Sequence, residues 1–231
     1  MRNVLERASR IALDLLYPPQ CAICRRAGAL LCDACADALP PADGRRCQCC
    51  WVPITGGPLC GHCIERAPAF ESIRTACVME EGARSLVHRL KYEGMSALAE
   101  PMALLMLSQI APGDVDLIVP VPLHHGRERS RGYNQSALLA KQVAAAAGLP
   151  FDARAARRTR ATAPLAKTMH RDERRAIVAG AFAGDAARVA KRRVLLVDDV
   201  VTTGATLDAC ADALLAAGAA GVRCVTWARA D

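Results

Sequence analysis

Aromatic side chains are scarce in this chain: three Phe, three Tyr and two Trp among 231 residues. Without aromatic bulk, a core has to be assembled from small aliphatic side chains, and alanine is abundant throughout. Also missing is any apolar run approaching the roughly 20 residues that a membrane-spanning helix needs. Nothing near the start resembles a secretory signal. Asn3 to Leu16 sets Glu6, Arg7, Arg10 and Asp14 among apolar residues and reads as an amphipathic helix. The expected compartment is therefore reducing and cytoplasmic, and this decides how the cysteines are read.

Cysteine is plentiful. Eight of the twelve fall into four C-x-x-C pairs: Cys21/Cys24, Cys32/Cys35, Cys47/Cys50 and Cys60/Cys63. Two thiolates two residues apart hold one tetrahedral Zn²⁺ from a tight knuckle, and a second knuckle closes the site. Four knuckles therefore imply two Cys₄ zinc sites. In a reducing compartment disulfides are the weaker reading, and the pairs lack the strand-helix context of a redox dithiol. Sequential pairing, with Cys21, Cys24, Cys32 and Cys35 on one ion and Cys47, Cys50, Cys60 and Cys63 on the other, closes shorter loops than interleaving does. Cys49 lies inside the third knuckle and is an alternative to Cys50. Cys77, Cys210 and Cys224 fall on predicted strands or helices and read as core residues.

Length and pattern suggest two units. Residues 1–70 hold the N-terminal helix and a double zinc ribbon, a module too small to bury a large core without metal. The boundary is placed near Ala67-Pro68-Ala69-Phe70. Residues 71–231 alternate. Strands are expected at 73–78, 116–121, 193–197 and 222–228, and helices at 83–91, 97–110, 135–147 and 205–217. Alternation of this kind implies an α/β domain with a mostly parallel sheet and flanking helices.

The most informative stretch is Val194-Leu-Leu-Val-Asp198-Asp199-Val-Val-Thr202-Thr203-Gly204-Ala-Thr206-Leu207. A buried strand leads into two adjacent carboxylates, then into a loop of small hydroxyl residues that opens a helix. Ligands of open α/β sheets bind at the carboxyl ends of strands. A loop opening a helix presents N–H groups and hydroxyls to a phosphate. Asp198 and Asp199 offer the acceptors that a sugar diol needs. Together these suit a ribose 5-phosphate. A second anion-binding arrangement follows Pro120-Val-Pro-Leu-His124, where Arg127, Arg129 and Arg131 precede Gly132-Tyr-Asn-Gln-Ser136. Lys91, at a helix end before Tyr92 and Gly94, is a further candidate cation.

Charge is uneven. Residues 1–72 hold eight Arg against seven acids, whereas 154–193 holds twelve Lys/Arg against three acids. The part from Arg154 to Arg175 shows little apolar periodicity and is expected to be a mobile loop. It can act as a lid bringing cations to a pyrophosphate. Alternatively it is a footprint for single-stranded nucleic acid, carried by Arg157, Arg158 and Arg160. The absence of aromatics from this stretch weakens the version in which bases stack on the protein.

The acidic pair with its Thr-Thr-Gly-x-Thr loop resembles the phosphoribosyl pyrophosphate (PRPP) signature of type I phosphoribosyltransferases. That resemblance implies that Asp198 and Asp199 hold the ribose, with Val201, Thr202, Thr203, Gly204, Ala205 and Thr206 around the 5-phosphate. The pyrophosphate would lie toward Arg131 and Lys91. The order of double zinc ribbon, Leu90-Lys91-Tyr92, Pro120-Val-Pro-Leu-His, Arg131-Gly-Tyr-Asn-Gln and PRPP loop resembles the ComF family over nearly the whole chain. The family resemblance implies a type I phosphoribosyltransferase-like fold behind a zinc-ribbon module, PRPP as ligand and a role in DNA uptake during natural transformation, with the uptake machinery as partner. Two other functions follow from the same site. One is a turning-over phosphoribosyltransferase, in which Mg²⁺ sits on the pyrophosphate and diol while the Asp198–Asp199 pair stabilises positive charge on the sugar. The other is a PRPP sensor without turnover. The chain departs from the family pattern between Thr162 and Phe182, where Ala166 and Ile177 stand in place of a Gln and an Asn.

Overall fold

The computed structural model describes residues 18–110, 113, 115–161 and 171–230. The expected helix at 3–16 and part of the basic stretch, 162–170, lie outside the described residues. Along the chain, two short helices sit in the cysteine-rich region, α1 (Asp33–Asp37) and α2 (Gly61–Glu65). Next come β1 (Ser72–Val78), α3 (Glu81–Tyr92), a 3₁₀ turn at Ser96–Leu98, α4 (Ala99–Leu107) and β2 (Leu117–Pro120). They are followed by α5 (His125–Arg131), α6 (Gln135–Ala147), β3 (Ala156–Arg158), α7 (Arg171–Val178), β4 (Phe182–Gly184) and α8 (Ala186–Val189). The chain ends with β5 (Arg193–Val201), α9 (Ala205–Ala216) and β6 (Gly221–Arg229).

Four strands form a parallel sheet in the order β1-β6-β5-β2. Its central strands are branched and apolar on both faces, as a sheet covered on both sides requires. On one face, Leu86 and Leu90 of α3, Met102 and Met106 of α4 and Leu139 of α6 meet Leu195, Val197, Val225 and Trp227. On the other, Leu207, Cys210 and Leu214 of α9 meet Val194, Leu196 and Cys224. Trp227 is fully buried and its indole N–H donates to the Ala83 carbonyl at 3.4 Å. Cys77, Cys210 and Cys224 are buried core residues, as expected, and burial pushes the Cys77 thiol up to about 12. No helix among the described residues is long and apolar enough to cross a membrane.

The cysteine-rich region packs directly on the sheet. Cys21, Ala22, Leu31 and Leu39 join the core on the α3 face. Cys47, Cys50 and Cys63 join the core on the α9 face, with Phe70 and Ile73. Its backbone also covers the open edge of β1: Val78 N–H donates to Pro40 O at 2.9 Å and Ile73 N–H to Cys49 O at 2.7 Å. An exposed edge strand would otherwise be a template for unwanted pairing.

Sequence and structure part at several points. β5 does not end before the acidic pair but runs on to Val201. β2 stops at Pro120, opposite Val197, so Asp198 to Val201 project past it with β6 as their strand neighbour. The arginine loop after β2 is the helix α5, ended by Gly132 at φ 87°. The stretch expected as a mobile loop contains β3, which pairs antiparallel with β4, and the start of α7. Three-residue strands are too short to show a period, so this strand pair left no sequence signal. Its packing depends on a glycine. A Cβ on Gly184 would lie 2.7 Å from the Ala213 carbonyl oxygen and 2.7 Å from the Ala217 methyl.

Candidate phosphoribosyl and zinc sites

The eight knuckle cysteines gather as the sequential pairing expects. The sulfurs of Cys21, Cys24, Cys32 and Cys35 lie within 4.8 Å of one another, as do those of Cys47, Cys50, Cys60 and Cys63. A tetrahedral zinc with bonds of about 2.3 Å sets its sulfurs about 3.8 Å apart. The Cys24–Cys32 separation is 3.7 Å and the Cys50–Cys60 separation 3.6 Å, so both cages fit that ion. All the described cysteines are free thiols. Cys49 stands outside the cluster, its sulfur 3.9 Å from the Phe70 carbonyl oxygen.

Electrostatics favour a cation in each cage. Burial opposes ionisation of Cys21, but backbone N–H groups of Cys32, Cys24 and Ile23 outweigh it and bring the thiol down to about 6. Cys47 behaves alike, at about 6, where burial is outweighed by N–H groups of Cys50, Cys60 and Cys49. The neighbours are driven the other way: the Cys24 thiol, burial and the other sulfurs push Cys35 up to about 12, and burial above all pushes Cys50 to about 11. In each cage one thiol is thus pulled toward ionisation while Cys35 in the first, and Cys50 and Cys63 in the second, resist it, an opposition that a dication would relieve.

The second constellation is built around the part of β5 that projects beyond β2. The N-terminus of α6 fills the gap. Asn134 caps that helix, its side-chain oxygen accepting from Ser136 N–H at 3.0 Å, and its amide donates to Val121 O at 3.0 Å. This capping aims the next two side chains at the acidic pair. Ser136 Oγ donates to Asp198 Oδ1 at 2.7 Å, and Gln135 Nε2 donates to Asp199 Oδ1 at 3.3 Å. Lys91, near the end of α3, forms an ion pair with Asp199 Oδ2, and Arg131 donates to Gln135 Oε1. The Arg131 guanidinium also lies 5.2 Å from the Tyr92 ring centre. Lys91, Tyr92, Gly94, Arg127, Ser130, Arg131 and Tyr133 line a cavity of about 220 Å³ beside the pair.

Asp198 and Asp199 are both buried, and they differ in charge state. Burial, then the neighbouring Asp199 charge, pushes Asp198 up to about 7, against the opposing hydrogen bond from Ser136. Burial also acts against Asp199, but the Lys91 ammonium and the bonds from Lys91 and Gln135 hold its carboxyl below the ordinary range. The pair therefore carries one firm negative charge and one that is easily gained or lost near neutrality.

The loop follows at once. Val201 closes β5, Thr202 and Thr203 turn, and Gly204 caps α9 at φ 81°. Gly204 is also pressed from below: a Cβ would stand 3.4 Å from Ile73 Cδ1. Ala205 and Thr206 begin α9, so the loop runs directly into a helix N-terminus, a place that favours an anion. Two arginines far away in sequence brace it. Arg229, almost fully buried at the end of β6, donates to Thr202 O at 3.1 Å and to Cys50 O at 2.8 Å. Arg174 of α7 donates to Thr202 Oγ1 at 2.7 Å.

The structure thus brings together Lys91, Arg131, Asp198, Asp199 and Val201 to Thr206. Arg157, Arg158 and Arg160 differ in their surroundings, with Arg157 and Arg160 exposed and Arg158 half-buried. Arg158 lies over the Phe182 ring at 5.3 Å; burial and the Arg127 charge hold it below the ordinary arginine range, with Asp198 opposing. Arg160 donates to Ile177 O at 3.2 Å and Ala179 O at 2.8 Å, near the end of α7. Sequence reasoning placed Gln135 and Ser136 in the polar run of the second anion-binding arrangement but did not bring them to the acidic pair, and it left Arg174 and Arg229 out, since nothing local marks those arginines.

A cysteine cage on each side of a parallel sheet, with an acidic strand end and a phosphate-type loop at its carboxyl edge, defines a zinc-ribbon protein with a phosphoribosyltransferase-like domain. The family comparisons agree: a double zinc ribbon domain matches residues 12–64 and a phosphoribosyl transferase domain matches residues 133–230. DNA utilization protein YhgH of Escherichia coli K12 is 33% identical over 221 residues, covering 90% of this chain and 96% of that protein. Its namesake in Salmonella typhimurium shows the same identity and coverage. Competence protein F of Haemophilus influenzae is 27% identical over 199 residues, 77% of this chain and 87% of that one. The chain belongs to this ComF family of competence and DNA utilization proteins. Among solved structures, a glutamine PRPP amidotransferase from B. subtilis complexed with ADP and GMP aligns with a TM-score of 0.42 and 20% identity. That alignment covers 60% of this chain and 30% of the amidotransferase.

Proposed function

We propose that this protein binds PRPP, or a closely related ribose 5-phosphate, and acts through that site in DNA utilization, as its relatives' names describe for them. The observation that carries the reading is the buried Asp198–Asp199 pair, held by Ser136, Gln135 and Lys91 and running directly into the Thr202–Thr206 loop. The carboxylates accept from the ribose diol, and the loop takes the 5-phosphate. Lys91, Arg131 and Arg127, around the adjoining cavity, take the pyrophosphate. Mg²⁺ suits the same place, since its ligands are carboxylate and phosphate oxygens. When bound it would neutralise charge on the leaving pyrophosphate; Asp198 and Asp199 are the residues that would hold it. The division near residue 70, the cytoplasmic setting and the assignment of the eight cysteines to two zinc ions belong to the same proposal.

Turnover is the alternative that the site also supports, because an acidic pair beneath the sugar favours charge developing at the anomeric carbon. Purified protein incubated with Mg²⁺, PRPP and a panel of bases and nucleosides, with pyrophosphate release measured, separates the two. Tight binding with no release above the protein-free rate supports a binding role, and base-dependent release makes the protein a transferase.

A further inference from the structure

We propose that the Tyr92 ring, at the mouth of the cavity beside the acidic pair, is a stacking platform for a nucleobase, so that nucleoside diphosphates compete with PRPP for this site. The inference rests on the phosphoribosyl reading above, which puts a pyrophosphate in that cavity. It adds a competing ligand class and the residue that recognises it.

Tyr92 is 67% exposed, and it is the only exposed Phe, Tyr or Trp among the described residues. An isolated surface aromatic needs no explanation. This one ends α3 directly after Lys91, and it lines the cavity itself, with Gly94, Arg127, Ser130 and Arg131. Neither of its ring neighbours stacks flat on it. The His88 ring is tilted by 52° with its centre 5.1 Å away, and the Arg131 guanidinium carbon lies 5.2 Å from the ring centre. A flat partner in van der Waals contact would lie at about 3.5–4.0 Å. Most of the ring is therefore open to a planar ligand, and the guanidinium beside it can join the stack.

The charge around the ring decides what the base is attached to. Lys91, which also holds Asp199, meets Arg127 and Arg131 at the cavity of about 220 Å³. Glu93, the acid next to the ring in sequence, is turned toward Arg89 at 3.2 Å and His88 at 3.3 Å. A nucleic-acid linkage brings one negative charge to such a place, whereas a diphosphate brings several, so three converging cations favour the diphosphate. The walls are also tied together before a ligand arrives, because the Tyr133 hydroxyl donates to the Leu90 carbonyl on α3. Stacking accepts any base, since every base has a π-face, so the recognised class is nucleoside diphosphates in general.

Calorimetry on the full, zinc-loaded chain tests this with Mg²⁺–pyrophosphate, Mg²⁺–ADP and Mg²⁺–dideoxy-ADP. The dideoxy sugar has no diol for the acidic pair, so it separates the cavity from the ribose site. Both nucleotides should bind the wild type saturably and displace PRPP. Tyr92→Leu should weaken both by roughly tenfold relative to pyrophosphate, the size of one lost base–aromatic stack, and Tyr92→Phe should restore them. If the Leu variant does not fold, Tyr92→Trp carries the same test: its larger ring should tighten both nucleotides relative to pyrophosphate, and no change overturns the assignment. A ring that merely steadies Arg131 and Lys91 would lower all three ligands together, and that outcome also overturns it. So does wild-type protein that binds pyrophosphate but neither nucleotide, or nucleotide affinity lost in Thr203→Val yet unchanged in Tyr92→Leu. Displacement of ADP by an unphosphorylated single-stranded oligonucleotide as readily as by pyrophosphate would give the ring to nucleic acid instead. Wild-type protein that binds neither PRPP nor any of the three probes overturns the phosphoribosyl reading, and this inference with it.

Discussion

The two cysteine cages have the same ligand set and pack on opposite faces of one sheet, but they are wired differently. The first, at Cys21 to Cys35, joins the core beneath α3, and its Cys24 is exposed. The second, at Cys47 to Cys63, has no exposed ligand and sits behind the phosphate-type loop. Its Cys50 carbonyl shares Arg229 with the Thr202 carbonyl, and Phe70 and Ile73 beside it support Gly204. One ribbon therefore braces the fold, and the other braces the fold and the loop together. Two copies of a local motif acquire different duties from the surfaces they land on.

The largest expected effect separates the cages. The purified protein should carry about two zinc ions per chain, and each structural site should supply folding free energy on the order of 10 kcal/mol. Cys60→Ser should lose one zinc together with sugar-phosphate binding. Cys32→Ser should lose one zinc and much thermal stability while the folded fraction still binds. Elemental analysis, thermal unfolding and calorimetry on both variants check this. Equal effects on binding would erase the distinction.

Next in size is the link itself. Arg229 is buried, and replacing it by Met leaves two carbonyls without their donor, a cost of roughly 2–3 kcal/mol. Arg229→Met should lower the melting temperature and weaken ribose 5-phosphate severalfold without loss of zinc. Intact affinity would show that the second cage does not steady the loop.

A pH effect follows from the acidic pair. Between its unfolded value of 3.8 and its folded value of about 7, Asp198 binds its proton more tightly in the folded state. Its contribution is therefore most favourable below the unfolded value, and it is lost as pH rises through about 7. Asp198→Asn removes that liability. The variant should gain stability over wild type from pH 5 to pH 8, on the order of 2 kcal/mol, read by denaturant unfolding at the two pH values. No change in the difference would mean that Asp198 stays ionised throughout.

The smallest effect concerns nucleic acid. Arg158 lies over Phe182 and the exposed Arg160 is held by carbonyls at the end of α7, so Arg157, also exposed, is the residue of the three to test first. If single-stranded DNA binds here, Arg157→Gln should reduce the log–log salt slope by about 0.7, one phosphate's worth. Anisotropy titrations at several salt concentrations measure it, and an unchanged slope removes Arg157 from any DNA contact.

Much of this was legible locally. The knuckles fixed the cages because zinc ligation depends on short spacing, and Val194 to Leu207 carried strand, acids, loop and helix in one stretch. What stayed hidden depends on distance along the chain. Ser136 meets Asp198 across 62 residues, Arg174 meets Thr202 across 28, and Arg229 meets Cys50 across 179. No periodicity encodes such meetings; they exist only once β2 stops short of β5 and the ribbons close on the edge of β1. The docking of the ribbons into both cores was likewise invisible, since alanine and cysteine in a knuckle look the same whether exposed or packed.

The central claim is that the acidic strand end and its loop bind a phosphoribosyl ligand. Titrating Mg²⁺–PRPP into wild-type protein and into the Asp198→Asn, Asp199→Asn double variant by calorimetry tests it most directly. Each charge-assisted bond to the diol is worth roughly 1.5–3 kcal/mol, so saturable binding by the wild type and none by the equally folded variant is the predicted result. Wild-type protein indifferent to millimolar PRPP, or a double variant that binds it as well as wild type, would contradict the claim.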